Sequence, residues 1–340
     1  MKKTSLFLIG LLAWQLTTRA QSFQSEIYPT NWWVGMQWNN VQLMIHQKDI
    51  GLCDSITMLS YEGVKLNKVH RVEGKNYLFL DISIAANTKP GKLAFVPVTA
   101  SKNNKPLYFE LKERRAGNGI LYAQGVNTKD FIYLIMPDRF SNGDESNDRI
   151  AGMRDQTLRR DTVFNRHGGD LKGIQNHLDY LYDLGVTTLW LNPVIENDMP
   201  NRTEHGYAFT NHYKVDPRLG GEQAYTDLIN AVHKKGMKII QDAVYNHIGS
   251  YHVTVLDPPM KDWLHQWKTY TNTSYKDQVM FDPYASKKDY KQFFDGWFTT
   301  QMPDVNQSNP YVANFLIQHA IWSVENFGID GWRIDTYAYN

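Results

Sequence analysis

Lys238-Ile239-Ile240-Gln241-Asp242-Ala243-Val244-Tyr245-Asn246-His247 runs from a short apolar stretch straight into a cluster of polar side chains. A short apolar run is the signature of a strand buried on both faces, and its polar end is where such a strand hands over to a loop. The same pattern recurs on either side. Phe131 to Met136 is a continuous apolar run followed by Asp138-Arg139, Thr187 to Leu191 is followed by Asn192, and Ile329 to Ile334 carries Arg333 and leads to Asp335. Helical stripes separate these runs. Leu171, Ile174, Leu178 and Leu181 form one, closed by Gly185; Tyr225, Leu228, Ile229 and Val232 form a second, ended by Gly236. A third starts at Asn309-Pro310, an N-cap followed by Pro at the first helical position, and ends at Gly328. Alternating β and α units imply a parallel sheet, and polar residues at the C-terminal ends of its strands belong to the catalytic rim of a barrel. Any one of these Asp residues could equally cap a strand and satisfy a loop backbone; four strand ends in order weaken that alternative.

The predicted fold is α/β: an N-terminal antiparallel β-sandwich followed by the first half of a (β/α)8 TIM barrel. The barrel part covers 128–340, with a small subdomain inserted after the third strand at about 248–308. That insertion holds Trp263, Trp267, Phe281, Phe293, Phe294 and Trp297, enough apolar bulk for a core of its own. Long loops on a rigid scaffold are generally functional. Upstream, 21–127 reads as short strands (Val41 to His46, Tyr77 to Ile84, Lys92 to Val96 and Leu107 to Leu111) separated by clusters such as Asn87-Thr88-Lys89-Pro90-Gly91.

Residues 1–20 read as a signal peptide: Lys2 and Lys3, an apolar stretch from Leu6 to Leu16, and a cleavage-like Thr18-Arg19-Ala20 that sets the mature start near Gln21. The stretch is too short for a membrane span, and the mature chain offers no other. The lone Cys53 excludes an internal disulfide. A periplasmic or secreted bacterial protein is expected. With a net charge of +1 and both signs interspersed, nothing resembles a nucleic-acid-binding stripe. The 10 Trp and 20 Tyr residues suit sugar stacking as well as an ordinary core.

The polar strand ends also carry a resemblance. Asp242-Ala243-Val244-Tyr245-Asn246-His247 resembles the Asp-x-x-x-Asn-His motif of the alpha-amylase family at the third barrel strand. Gly331-Trp332-Arg333-Ile334-Asp335 resembles its Gly-x-Arg-x-Asp motif at the fourth. Met302-Pro303-Asp304-Val305-Asn306, with Val where Leu is usual, is similar to the segment marking the neopullulanase and cyclomaltodextrinase branch. His205-Gly206-Tyr207 and Trp32-Trp33-Val34-Gly35-Met36 are similar to that branch too, the latter to the N-terminal sandwich of periplasmic neopullulanases from Bacteroides-like bacteria. The resemblance implies a retaining glycoside hydrolase acting on α-1,4-glucans (maltooligosaccharides, cyclodextrins, pullulan) in starch utilisation, with a homodimer compatible with it. The alternatives are a glucanotransferase on the same substrates and a non-catalytic glucan-binding homologue.

A retaining glycosidase uses two carboxyl groups about 5–5.5 Å apart. Asp335 is the expected nucleophile, and Arg333, two residues earlier on the same strand face, keeps it charged and oriented; a purely structural ion pair is the alternative. By resemblance, Tyr207 stacks under the sugar at the cleavage point, Asn246 organises its loop, His247 bonds a sugar hydroxyl, and Asp242 belongs to the same substrate-binding set. Asn142, Asp144, Asn147 and Asp148 form an oxygen-rich loop that Gly168 and Asp170 can complete as a structural Ca²⁺ site, as in related neopullulanases; a metal-free Asn/Asp turn is the alternative. Asn340 falls just past the fourth of eight strands, and neither the family's acid/base Glu nor its late His-Asp pair has a position here. The expectation is a C-terminally truncated chain that is inactive and aggregation-prone by itself.

Overall fold

The computed structural model describes residues 25–99 and 105–339. The leader expected over residues 1–20, with its expected cleavage point, lies outside the described residues. Two four-stranded sheets form the N-terminal unit: β1 (Glu26–Tyr28), β3 (Asn40–His46), β6 (Tyr77–Ile84) and β5 (Val64–Arg71) in the order β1-β3-β6-β5, and β2 (Asn31–Trp33), β8 (Leu107–Lys112), β7 (Gly91–Val98) and β4 (Ser55–Met58) in the order β2-β8-β7-β4. Leu43, Ile45, Leu78, Leu80, Ile82, Leu93, Phe95 and Phe109 fill the core between them, and Cys53 is a free thiol buried there. The sandwich is not wholly antiparallel as the alternation suggested. β2 runs parallel to β8, because this three-residue strand joins the second sheet at its edge instead of turning back as a hairpin.

The second unit is a parallel sheet of β9 (Ile132–Ile135), β10 (Thr188–Leu191), β13 (Lys238–Ala243) and β14 (Gly331–Ile334), in the order β14-β13-β10-β9, with the hairpin β11 (Ile195–Glu196) and β12 (Asn211–Val215) above it. Helices α1 (Pro137–Phe140), α2 (Leu171–Asn176), α3 (Leu178–Asp183), α4 (Gly221–Lys234) and α8 (Pro310–Phe327) connect the strands; α5 (Val253–Leu256), α6 (Gln278–Phe281) and α7 (Lys287–Asp295) lie in the long insertion. None of these helices is long and apolar enough to cross a membrane. The caps are those the sequence offered. Asn309 accepts the Tyr311 N–H ahead of Pro310, and Gly328 closes α8 at a φ of +83° that a side chain would strain.

Three expectations are corrected. The run from Phe131 is not buried on both faces: β9 is an edge of its sheet, and Phe131, Ile132 and Leu134 are exposed while β10 and β13 are covered on both sides. The stripe from Leu171 is two helices, not one. The backbone breaks at His177 (φ −112°, ψ 17°), whose Nδ1 bonds the Gly173 carbonyl. The insertion does not gather all its aromatic bulk into its own core. Trp263 packs on Phe79 of the sandwich and Phe315 of α8, whereas Phe281 is exposed.

Candidate active site

β13 and β14 pair in a register that sets Asp242 beside Arg333, and alternation along β14 returns Asp335 to the side of Arg333. Arg333 Nη1 donates to Asp335 Oδ1 at 2.6 Å and to Asp242 Oδ1 at 3.0 Å, so one guanidinium spans two carboxylates. Asp242 is buried, and its Oδ2 also accepts from Trp190 Nε1 at 3.0 Å and from the Tyr207 hydroxyl at 2.9 Å. The Arg333 guanidinium lies 4.9 Å from the centre of the Trp190 ring. Burial pushes both carboxyls above the ordinary range, and Arg333 opposes that for each, after Trp190 in the case of Asp242. Burial, with Asp242 next, pushes the Tyr207 phenol up, so it stays a donor.

The second wall comes from the loop after β10. Asn192 donates to the His205 carbonyl at 3.3 Å, and His205 Nδ1 accepts the Tyr207 N–H at 3.0 Å. Gly206 is required there: a Cβ would fall 2.3 Å from the Pro193 carbonyl oxygen, at a φ of +85°. His247 is fully buried, stacked on Phe298 with ring centres 4.7 Å apart, and its pKa is lowered to about 3 by burial and then by His205. It is therefore a neutral imidazole, and its Nε2 is buried without a partner, as is Asn246 Oδ1. The Met302 to Asn306 segment holds this loop. Val305 N–H donates to the Asn246 carbonyl at 2.9 Å and Ile248 N–H to that of Pro303 at 3.2 Å.

The structure thus brings Asp242, Tyr207, Arg333 and Asp335 into one network, with Asn246 and His247 against its wall. Sequence reasoning missed Trp190, which an apolar Thr-Leu-Trp-Leu strand disguises as core; its position two residues before the polar strand end was the available signal. Asp138, expected at the rim, is a buried clamp accepting the His167 N–H at 2.9 Å and an Arg139 N–H at 2.7 Å.

A family profile described as "Alpha amylase, catalytic domain" matches residues 134–340. The chain belongs to the alpha-amylase family. A second profile, "Cyclomaltodextrinase, N-terminal", matches residues 26–115, the sandwich of this family member. Neopullulanase 2 of Thermoactinomyces vulgaris is 28% identical over 319 residues, covering 87% of this chain and 52% of that protein. Maltogenic alpha-amylase of Bacillus acidopullulyticus is 33% identical over 61% of this chain and 33% of its own. Among solved structures, an Anoxybacillus alpha-amylase is 35% identical with a TM-score of 0.50, covering 62% of this chain and 41% of that one. The chain spans about a third of the length of the first curated relatives it matches.

The oxygen-rich loop of this alpha-amylase-family chain closes on itself. Asn142 Nδ2 donates to Asp148 Oδ1 at 2.8 Å, and Gly168 packs so tightly that a Cβ would sit 2.5 Å from the same oxygen. Asn147 Oδ1 is buried with no partner, and the Asp148 carboxyl is raised by burial and, against the Asn142 bond, by Glu145 and Asp170. An unsatisfied buried oxygen beside the carboxylates of Asp148 and Asp170 fits a hard cation. Asp144 and Asp170 have other partners: Asp144 accepts from Ser146, and Asp170 accepts four N–H groups, from Gly143, Asp144, Asn147 and Gly173. Among the described residues no three His, Cys, Asp or Glu side chains gather as a metal cluster, so carboxylates alone would not hold the ion.

Proposed function

We propose that this chain contributes the nucleophile half of a retaining site that hydrolyses α-1,4-glucans, with maltooligosaccharides, cyclodextrins and pullulan as substrates. The observation that carries the reading is the Arg333 guanidinium shared between Asp335 and Asp242. Asp335, kept ionised by that charge, attacks the anomeric carbon as the glycosidic bond breaks and a second carboxyl group, acting as general acid, protonates the departing oxygen. The resulting glycosyl ester is hydrolysed by water that gives its proton back to that group. Asp242 is not the general acid of this scheme, because both its oxygens already accept from Arg333, Trp190 or Tyr207. Its part is to hold Arg333 and Tyr207 in place. Tyr207 supplies the face on which the sugar stacks, and His247 Nε2, a buried polar atom without a protein partner, is available to a sugar hydroxyl. In the enzyme assayed at full length, Asp335→Asn lowers kcat by several orders of magnitude with the fold intact. Activity within tenfold of wild type removes Asp335 from the role.

A structural Ca²⁺ belongs to the same proposal. Asn142, Asn147, Asp148 and the Gly168 backbone would hold it, with Asp144 beside them and Asp170 shaping the loop; bound there, it ties the segment after β9 to the start of α2. Export to the periplasm or medium through residues 1–20 completes it, supported by Lys2, Lys3 and the apolar stretch that follows.

A further inference from the structure

We propose that Phe164, backed by Arg202, is an aromatic platform that holds a glucose ring of the α-glucan at a distance from the cleaved bond. The inference rests on the glucan-cleaving reading above. Phe164 lies in the loop between α1 and α2, and the backbone on either side of it is fixed: Arg139 donates to the Val163 carbonyl at 2.6 Å and to the Asn165 carbonyl at 2.8 Å. Arg139 itself lies in α1, the short helix that follows the C-terminal end of β9. Pinned in this way, the chain could have turned Phe164 inward, yet Phe164 is 55% exposed and the neighbouring Val163 is 73% exposed. The Arg202 guanidinium sits 3.8 Å from the ring centre and covers one face, which leaves the exposure to the rest of the ring.

Arg202 is in turn held by Glu204, Nε to Oε1 at 3.2 Å, in a left-handed backbone conformation (φ +57°) that a non-glycine residue adopts only under constraint. Three residues further on comes His205-Gly206-Tyr207, and the Arg202 charge bears on His205, which stacks against Tyr207. The two loops meet in the protein, since Asp138 and Arg166 share one small void with Thr203, Glu204 and Gly206. The loop whose Arg202 covers Phe164 is thus the same loop that carries Tyr207. A rigid ring with an open apolar face, fixed from behind by a cation and set beside polar groups, matches the C–H face and hydroxyl edge of a pyranose.

Chain length separates this role from the cleavage chemistry. In the full-length enzyme, Phe164→Ala raises KM for maltoheptaose about tenfold, the equivalent of about 1.4 kcal/mol, with kcat unchanged. Maltotriose kinetics stay within about twofold, and Phe164→Trp restores the maltoheptaose value. Equal losses on both substrates, or none on either, overturn the platform while leaving hydrolysis intact. A wild-type enzyme inert toward every α-glucan overturns the functional reading, and the platform with it.

Discussion

His319→Gln should become less destabilising as the solution is acidified. His212 in β12, His252 at the start of α5 and His319 in α8 are buried together, with ring centres of His212 about 5 Å from each of the other two. His252 Nδ1 accepts the Thr254 N–H, so the network assigns its proton to Nε2, which faces His212 Nδ1 at 3.1 Å. His319 bonds the Tyr245 hydroxyl at 3.2 Å and Ser323 Oγ at 3.3 Å. Burial lowers His252 and His319 to about 3 and His212 well below its ordinary value. Each folded-state pKa is thus below that of the unfolded chain, near 6.5. The stability this gives is complete above pH about 6.5 and is lost as the pH falls from there toward about 3, the unfolded chain binding the extra proton throughout that window. One histidine costs about 1.4 kcal/mol between pH 7.5 and 5.5, a sizeable part of a typical stability of about 5–15 kcal/mol. Asp304, which bonds His265 and whose carboxyl burial raises to about 7, works in the opposite direction, so the total pH slope does not isolate the cluster. The difference between variant and wild type does. Urea unfolding at both pH values should show the His319→Gln penalty smaller at pH 5.5 by about 1.4 kcal/mol. An unchanged penalty would mean that His319 titrates normally in the folded protein, and the argument from burial fails.

Arg333→Lys replaces a guanidinium that reaches two carboxylates with one ammonium on a flexible stem. It should lower kcat about 100-fold and move the acid limb of the pH–rate profile to higher pH, because Asp335 loses the partner that opposes its burial; an unshifted limb rejects that account. Chelation should lower Tm and added Ca²⁺ should restore it, through the loop from Asn142 to Asp148; a melting curve indifferent to both rejects the site. N-terminal sequencing of the exported protein should read from near Gln21, and an intact Met1 in an exported sample rejects the leader.

Much of this was legible because burial leaves a period in the sequence. The helical stripe of α4 and the apolar runs of β10 and β13 depend on local spacing, and Tyr225, Leu228, Ile229 and Val232 are buried as that spacing demands. Arg333 and Asp335 were legible for a similar reason, since two residues along a strand share a face. What depends on a partner far along the chain was not. Trp190 reads as core until Asp242, 52 positions later, accepts its indole N–H. Phe164 reads as an ordinary loop residue until Arg202 lies over it. Exposure of β9 and the break at His177 follow from edge position and a side-chain bond to the backbone, and neither leaves a periodic trace.

The least legible feature ties the two units together. α8 buries Gln318, His319, Ser323 and Glu325, polar residues that a helix stripe would place in water. Their partners explain the burial. Gln318 accepts the Gln42 N–H at 2.7 Å and donates to the Gln42 carbonyl at 2.8 Å, filling both backbone positions of a sandwich strand 276 residues earlier. Trp322 donates to Asn31 Oδ1 at 3.1 Å, and Arg114 donates twice to Glu325, at 3.0 and 2.6 Å. On the helix's other contact, His319 holds the hydroxyl of Tyr245, the residue immediately before Asn246 and His247. Buried polar groups are costly when left unpaired, so these bonds specify one docking of helix on sandwich where apolar packing would accept several. The sandwich carries none of the residues assigned to catalysis. Through α8 it nevertheless fixes Tyr245, and with it the loop that presents His247 beside Tyr207.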